Sequence, residues 1–266
     1  MSEPIAIAVF DIDGVVRDVG GSYRRAIADT VEHFTQQAHR PTPQDIDTLK
    51  GEGIWNNDWK ASQELICRYF ESQGRSRESL GLDYDTIVDF FQRRYRGPDL
   101  EAPTQWTGYI SQEPLLMTAD YLKGLTSGGV PWSFFSGATQ GSANYVLQHR
   151  MGLTSPILIA MEDAPSKPDP TGLFMAVKAI EEQFSIEQVL PVIYAGDTVA
   201  DMQTVVMAQQ QRPAQSWLSV GILPPHVQGD ALYKAAYAEK LKAAGASTVL
   251  EHVEMLTVAL ITALLT

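Results

Sequence analysis

Six short apolar runs, separated by helical or polar stretches, set the strongest constraint on the fold of this chain. They lie at residues 5–10, 131–135, 156–160, 189–195, 215–221 and 247–250. The first run is continuously apolar and stops at Asp11, which is typical of a buried parallel strand. Helical patterns lie between later runs, at residues 170–184 and 201–210. Strands that alternate with helices predict an α/β fold built on a mostly parallel sheet.

The segment of residues 18–107 has a different pattern. Helical periodicity recurs in it three times, at residues 23–38, 58–73 and 84–96. Polar breaks separate these three stretches. None of the stretches shows the alternation of apolar and polar residues that is typical of a strand. The sequence therefore predicts two domains, which are a core of residues 1–17 and 108–266 and an inserted helical domain of residues 18–107.

Composition narrows the range of partners and locations. The chain has 266 residues and a formal net charge of −12, which repels nucleic acid and anionic membrane surfaces. Cys67 is the single cysteine, so an intrachain disulfide is excluded and a reducing compartment is favoured. The chain shows no signal-peptide pattern at its start, and the apolar run at residues 255–261 is too short to cross a bilayer. We expect a cytoplasmic protein, and the sequence leaves its oligomeric state open.

Polar residues follow several of the predicted strands. Ligands of an open parallel sheet bind beyond the carboxyl ends of its strands, so these positions are the first place to look for a site. They hold Asp11, Asp13, Ser136, Lys167, Asp197 and Asp201. We expect these side chains to converge at one edge of the sheet.

Four residues of this region suit the transfer of a phosphoryl group. A carboxylate such as Asp11 can act as a covalent nucleophile toward phosphorus. Asp13 can protonate the leaving alcohol and later activate water. Gly14 lets the backbone turn tightly at the site. Ser136 can donate a hydrogen bond to a phosphoryl oxygen.

Three further residues carry or balance charge. Lys167 can offset the charges of the nucleophile and the phosphate. Asp197 supplies a hard oxygen ligand of the kind that Mg²⁺ prefers. Asp201 follows four residues later at a helix start, where it can hold a metal-bound water or orient Lys167.

These residues carry a resemblance to the haloacid dehalogenase superfamily. Its four motifs are matched in order by FDIDGV from Phe10, FFSG from Phe134, SKPDP from Ser166 and GDTVAD from Gly196. One such motif is weak evidence, whereas four in order at strand ends are specific. The resemblance implies a Rossmann-like core and a phosphoaspartate on Asp11. It also implies that Asp13 is the general acid/base and that Asp11, the Asp13 carbonyl and Asp197 hold Mg²⁺.

The inserted domain resembles the helical cap of the subgroup that includes phosphoglycolate phosphatase and β-phosphoglucomutase. Residues 49–58 occupy the loop that sets substrate specificity there, which makes Lys50, Asn56 and Asn57 candidate substrate contacts. The two asparagines are equally suited to cap the helix that follows. In the second motif an Asn or Asp often follows the serine, and here Gly137 takes that place. Its N–H is a candidate second donor to the phosphate.

These observations predict a Mg²⁺-dependent phosphatase that acts on a small phosphorylated metabolite. Two alternatives stay open, a phosphomutase, for which Lys50 is the one indication, and a non-catalytic binding or regulatory protein of the same fold. A dehalogenase is disfavoured because its chemistry needs no general acid at the place of Asp13. Arg17 and Arg24 follow the first motif and face either a substrate anion or solvent.

Overall fold

The computed structural model describes residues 3–55 and 57–265, apart from the side chain of Thr104. The predicted substrate contact Asn56 therefore lies outside the described residues. By its internal contacts the chain divides into two compact units, Met1–Asp18 with Leu115–Thr266, and Val19–Pro114. We call the first the core unit and the second the helical unit. The role of the helical unit as a cap stays a prediction.

Every predicted strand is present, with small differences at its ends. The strands are β1 (Ile7–Phe10), β2 (Trp132–Phe135), β3 (Leu158–Ile159), β4 (Val192–Gly196), β5 (Trp217–Ile222) and β6 (Thr248–Leu250). The α-helices are α1 (Tyr23–Phe34), α2 (Pro43–Lys50), α3 (Asp58–Ser72), α4 (Tyr84–Tyr95), α5 (Ala119–Ser127), α6 (Gln140–Asn144), α7 (Thr171–Phe184), α8 (Val199–Gln211), α9 (Ala231–Ala243) and α10 (Val258–Leu264).

The six strands form one parallel sheet in the order β3-β2-β1-β4-β5-β6. Phe10 of β1 lies in register with Phe134 of β2 and with Ala195 of β4, so these strands end at nearly the same level. The strand order reverses beside β1, which creates a crevice at the carboxyl ends of β1 and β4. The predicted α/β fold with a Rossmann-like parallel sheet is confirmed.

Strand β1 is covered on both faces. Ile7 and Val9 point to one face and join a buried cluster that includes Leu173 of α7 and Val205 of α8. Phe10 points to the opposite face, where helix α5 contributes an aromatic ring 6.2 Å away between centroids. Burial of a side chain of this size contributes about 1.5–3 kcal/mol. Packing on both faces explains why the run is continuously apolar rather than alternating.

The chain leaves and re-enters the core unit at adjacent positions. Arg17 forms an antiparallel bridge with Leu115, the first residue of the second core segment. The backbone N–H of Leu116 donates to the Val16 carbonyl at 2.8 Å. These contacts tie the two crossing points together within the core unit.

Among its described residues, the helical unit consists of helices and loops. Helix α1 packs against α3 and α4, and α2 packs against α3. Its interior is apolar, with Ile27, Ile66 and Phe91 buried. Arg24 is also buried and forms an ion pair with Asp47 of α2, so the structure excludes a solvated Arg24.

The sequence patterns do not predict helices α2, α5, α6, α9 and α10. The start of α2 lies in a polar stretch that resembles a loop, but this stretch contains a local signal for a helix start. The hydroxyl of Thr42 accepts from the Asp45 N–H, and the Asp45 carboxylate accepts from the Thr42 N–H at 2.8 Å, which is a capping box. Within residues 3–55 and 57–265, the helices are all too short or too polar to pass through a bilayer.

Candidate active site

Asp11 lies directly after β1 at the carboxyl edge of the sheet. Its backbone N–H donates to the Ala195 carbonyl at 2.9 Å, so strand pairing extends to the residue and fixes its position. Its carboxylate is buried, and Oδ1 lies 2.8 Å from Lys167 Nζ. The same ammonium lies 2.7 Å from Asp201 Oδ1. One lysine therefore bridges two buried carboxylates, as the predicted convergence requires.

The ammonium of Lys167 is enclosed by charge and by aromatic rings. Lys167 belongs to the loop between β3 and α7 and is 4% exposed. The rings of Phe135 and Tyr194 have their centroids 5.0 and 5.3 Å from Nζ, which adds cation–π attraction. Burial alone would lower the pKa of Lys167, but attraction to the two carboxylates outweighs burial and raises this pKa. The side chain is therefore a permanent cation in the site.

Asp201 is held by protein donors on both carboxylate oxygens. Its Oδ1 accepts from Lys167 Nζ and from the Tyr194 hydroxyl at 2.9 Å. Its Oδ2 accepts from the Thr198 N–H at 2.9 Å and from the Thr198 hydroxyl at 2.6 Å, at the start of α8. Burial raises the pKa of Asp201, but Lys167 and Thr198 together lower it below its usual range. Of its two predicted roles, orientation of Lys167 fits these contacts.

A group of three acidic side chains could hold a metal ion. Asp11, Asp197 and Asp201 each offer a carboxylate oxygen within 4.8 Å of the other two, and all three are buried. Lys167 offsets one of their three charges, so a divalent cation would balance the remaining two. Burial raises the pKa of Asp11 to about 7 despite the opposing effect of Lys167, and the nearby charges of Asp201 and Asp13 add to the increase. The residues present fit a hard divalent ion.

The turn after β1 brings the backbone close to Asp197. Gly14 has a φ of +78°, a left-handed conformation that side chains rarely adopt. A Cβ at this position would collide with the Asp197 carboxylate. A glycine is therefore required here both for the backbone conformation and for the space.

Asp13 is paired with Arg17 in the same turn. The Arg17 Nε–H donates to Asp13 Oδ1 at 2.6 Å. The Arg17 side chain is fully buried, whereas 20% of the Asp13 side chain is exposed. The structure therefore excludes a solvated Arg17 and connects this residue to the predicted general acid/base.

Ser136 follows β2, and its side chain is buried. Its backbone N–H donates to the Ile159 carbonyl at 3.0 Å, and its Oγ accepts from the Ala138 N–H at 3.1 Å. The second of these bonds uses the hydroxyl oxygen and not the hydroxyl proton. Gly137 is only partly buried. Contacts of these two residues with a phosphate stay predictions.

Two predicted substrate contacts lie in the helical unit. Lys50 Nζ lies 2.6 Å from Asp58 Oδ1 and 4.9 Å from the ring centroid of Tyr23. Asn57 Oδ1 accepts from the Lys60 N–H at 3.0 Å and so caps α3. Capping, one of the two predicted roles of Asn57, is therefore present. Contact of Lys50 or Asn57 with a substrate stays a prediction.

The sequence analysis did not predict the site contacts of three residues, Thr198, Tyr194 and Arg17. Thr198 had a signal, since Thr198-Val-Ala-Asp201 has the spacing of a capping box. Tyr194 had none, because it is one apolar-looking residue within the run of β4. Arg17 was visible as a charge close to the first motif, but its burial was not predictable from its neighbours.

The fold and the strand-end site define an α/β enzyme with an aspartate-centred, cation-compatible pocket. The sequence model of the haloacid dehalogenase-like hydrolase family matches residues 5–208. The chain belongs to this family of hydrolases. The predicted family is confirmed.

Similar proteins cover most of this chain. The imidazoleglycerol-phosphate dehydratase of Phytophthora nicotianae is 28% identical over 255 residues, which are 94% of this chain and 51% of that protein. The chain thus spans about half the length of this curated relative. A phosphonoacetaldehyde hydrolase-like protein from Oleispira antarctica has a TM-score of 0.66 at 16% identity, over 99% of this chain and 93% of its own.

A second solved structure, phosphatase Tt82 from Thermococcus thioreducens, has a TM-score of 0.60 at 22% identity. The match covers 87% of this chain and 98% of that chain. At such identities the two structural similarities show a shared fold alone.

Proposed function

We propose that this chain is a Mg²⁺-dependent phosphatase that hydrolyses a small phosphate monoester through a phosphoaspartate on Asp11. The observation that carries the proposal is the position of Asp11. It is a buried carboxylate at the end of a central strand, 2.8 Å from a fixed ammonium and within reach of Asp197. Such a site attracts a phosphate and presents one oxygen for attack.

The first step transfers the phosphoryl group to the protein. A carboxylate oxygen of Asp11 attacks phosphorus, and the bond between phosphorus and the ester oxygen breaks. Asp13 gives its proton to the leaving oxygen, so an alcohol departs. Lys167 balances the charge of the phosphoryl oxygens, and the Ser136 hydroxyl donates to one of them.

The second step releases phosphate. The Asp13 carboxylate takes a proton from a water molecule, whose oxygen attacks phosphorus. The bond between phosphorus and Asp11 breaks, which restores the Asp11 carboxylate and leaves Asp13 protonated for the next cycle. Proton transfer by one positioned carboxyl group in both directions contributes roughly 10²–10⁴ to the rate.

Asp11, Asp197 and the Asp13 carbonyl would hold Mg²⁺, with Asp201 acting on Lys167 or on a metal-bound water. The ion supplies positive charge against the phosphate. We further propose that the helical unit is a cap that shields the site from water, with residues 49–58 over the substrate. Lys50 pairs with Asp58 and lies near the Tyr23 ring, and these contacts explain the presence of this lysine without a mutase function. A cytoplasmic location and a small phosphorylated metabolite as partner remain part of the proposal.

The proposal is tested by phosphate release with and without metal. The panel contains phosphosugars, phosphoglycolate, nucleotides and p-nitrophenyl phosphate. It also contains imidazoleglycerol phosphate and phosphonoacetaldehyde, because the names of two similar proteins refer to them. We expect release from at least one ester with Mg²⁺, a loss of at least about 100-fold with EDTA, and recovery with excess Mg²⁺. Folded protein that releases no phosphate from any compound would overturn the proposal.

A second test concerns the metal ligands. Gly14→Ala should displace Asp197 and weaken Mg²⁺ binding at least about tenfold, since the new methyl group collides with a ligand. Calorimetric titration with Mg²⁺ measures this change. Gly21→Ala is the matched control, because a Cβ at Gly21 meets nothing within 4 Å. Equal affinity in the Gly14 variant and the wild type would show that Asp197 is not a ligand.

A further inference from the structure

Arg17 is among the largest fully buried side chains of the described residues. A guanidinium stays charged at any physiological pH, so its burial is unfavourable unless other groups compensate. Its Nε–H donates to Asp13 Oδ1 at 2.6 Å, a short charge-assisted hydrogen bond. The reaction steps above assign no role to this arginine.

The backbone holds Arg17 in a fixed position relative to Asp13. The Gly14 N–H donates to the Arg17 carbonyl at 2.9 Å, and the Arg17 N–H donates to the Ile12 carbonyl at 3.2 Å. Arg17 also forms bridges with Asp13 and with Leu115. Backbone hydrogen bonds thus close the turn of residues 12–17 around Asp13. At the end of this turn, the Arg17 Nε–H donates to the Asp13 carboxylate.

We propose that Arg17 is a positioning residue that holds the Asp13 carboxyl group in the orientation for proton transfer to the leaving group. The inference rests on the proposed phosphatase function. Asp13 is partly exposed and would otherwise sample several rotamers. Because Nε binds Oδ1, we assign proton transfer to Oδ2. Arg17 cannot supply the proton itself, so its effect passes through Asp13.

The dependence of the rate on the leaving group tests whether Arg17 orients Asp13 for proton transfer. An alkoxide is a poor leaving group and needs a proton as its bond to phosphorus breaks, whereas p-nitrophenolate leaves without one. Misorientation of Asp13 should therefore slow the hydrolysis of alkyl phosphates more than that of p-nitrophenyl phosphate. A change in overall folding or in metal binding would slow both alike.

The experiment compares kcat/KM for an alkyl phosphate from the panel with kcat/KM for p-nitrophenyl phosphate. This parameter covers phosphorylation of Asp11 and excludes the later hydrolysis step. We expect Arg17→Gln to lower it about 100-fold for the alkyl ester and less than about fivefold for the aryl ester. Arg17→Lys, which keeps one donor and the charge, should show about a tenfold loss for the alkyl ester only. If the Gln variant does not fold, the Lys variant gives the same test.

A double-mutant cycle separates positioning from a structural role. In an Asp13→Asn background, Arg17→Gln should add less than about a twofold loss for the alkyl ester, since no proton donor is left to orient. Arg24→Gln is the matched control, because it removes another buried arginine of an Arg–Asp pair. We expect any loss in that variant to be equal for both esters.

Equal losses on both esters in the Arg17 variants, or a full additional loss in the Asp13→Asn background, would overturn the inference. These results are distinct from failure of the proposed function. If the proposed function fails, the wild type would release no phosphate, or an Asp11→Asn variant would remain active.

Discussion

Asp11→Asn should lower kcat for phosphate release at least about 10⁴-fold and leave the protein folded, because an amide cannot form the acyl phosphate. The substitution is nearly isosteric, and the amide oxygen can take the place of Oδ1, which lies 2.8 Å from Lys167 Nζ. Steady-state phosphate release and circular dichroism, measured together, distinguish lost chemistry from lost structure.

The control for this variant is Asp120→Asn. Asp120 lies on α5 of the core unit, is highly exposed and pairs with Lys123. We expect its loss to change kcat less than about twofold, as is usual for an exposed ion pair. A folded Asp11→Asn variant with wild-type turnover would remove Asp11 from the role of nucleophile.

Asp201→Asn should destabilise the metal-free protein by about 3 kcal/mol at pH 8, since it breaks a buried ion pair and leaves donors unmatched. The pKa of Asp201 is lowered in the folded protein, chiefly because Lys167 and Thr198 overcome the effect of burial. A lowered pKa means that the carboxylate stabilises the fold above its unfolded pKa, and this stabilisation is lost as the pH falls through the folded value.

Asp11→Asn should have the opposite effect on stability. Burial raises the pKa of Asp11 to about 7, so its ionisation opposes folding increasingly from about pH 4 to pH 7 and fully above. In EDTA the variant should therefore be more stable than the wild type by about 4 kcal/mol at pH 8, with the difference vanishing near pH 4. Urea unfolding at the two pH values measures both variants.

The comparison of the Asp11→Asn and Asp201→Asn variants has an internal control in Mg²⁺ binding. Saturating Mg²⁺ should stabilise the wild type more than the Asp11 variant, because the variant has lost a proposed ligand. The two Asp→Asn changes differ little in size or chemistry, so the contrast reports on their surroundings. Destabilisation of equal size at pH 8 in both variants would contradict the assigned charge balance.

The sheet and the convergence of Asp11 with Lys167 were predictable from local sequence. A continuously apolar run that stops at an acidic residue identifies a buried strand and the edge where the strand ends. The order of the motifs then indicated which strand ends meet. This reasoning needs only the period of the pattern and the geometry of a parallel sheet.

Side-chain direction limits what the sequence could predict. The pairing of Arg17 with Asp13 depends on a turn that folds back through Gly14, and the bond from Tyr194 to Asp201 crosses from β4 to α8. Neither contact follows from spacing. For Asn57, an asparagine before a helix suits both capping and substrate contact, so only the structure could show that its Oδ1 accepts from the Lys60 N–H.

The bridge between Arg17 and Leu115 has a consequence for how this chain can vary in evolution and in engineering. Paired residues of antiparallel segments lie about 5 Å apart at their Cα atoms, so the excursion Val19–Pro114 starts and returns at nearly one point. The closure entropy of such an excursion rises only slowly with its length. The sheet can therefore accept insertions of very different size at this one junction, and a short turn joining the two segments should suffice to close the core.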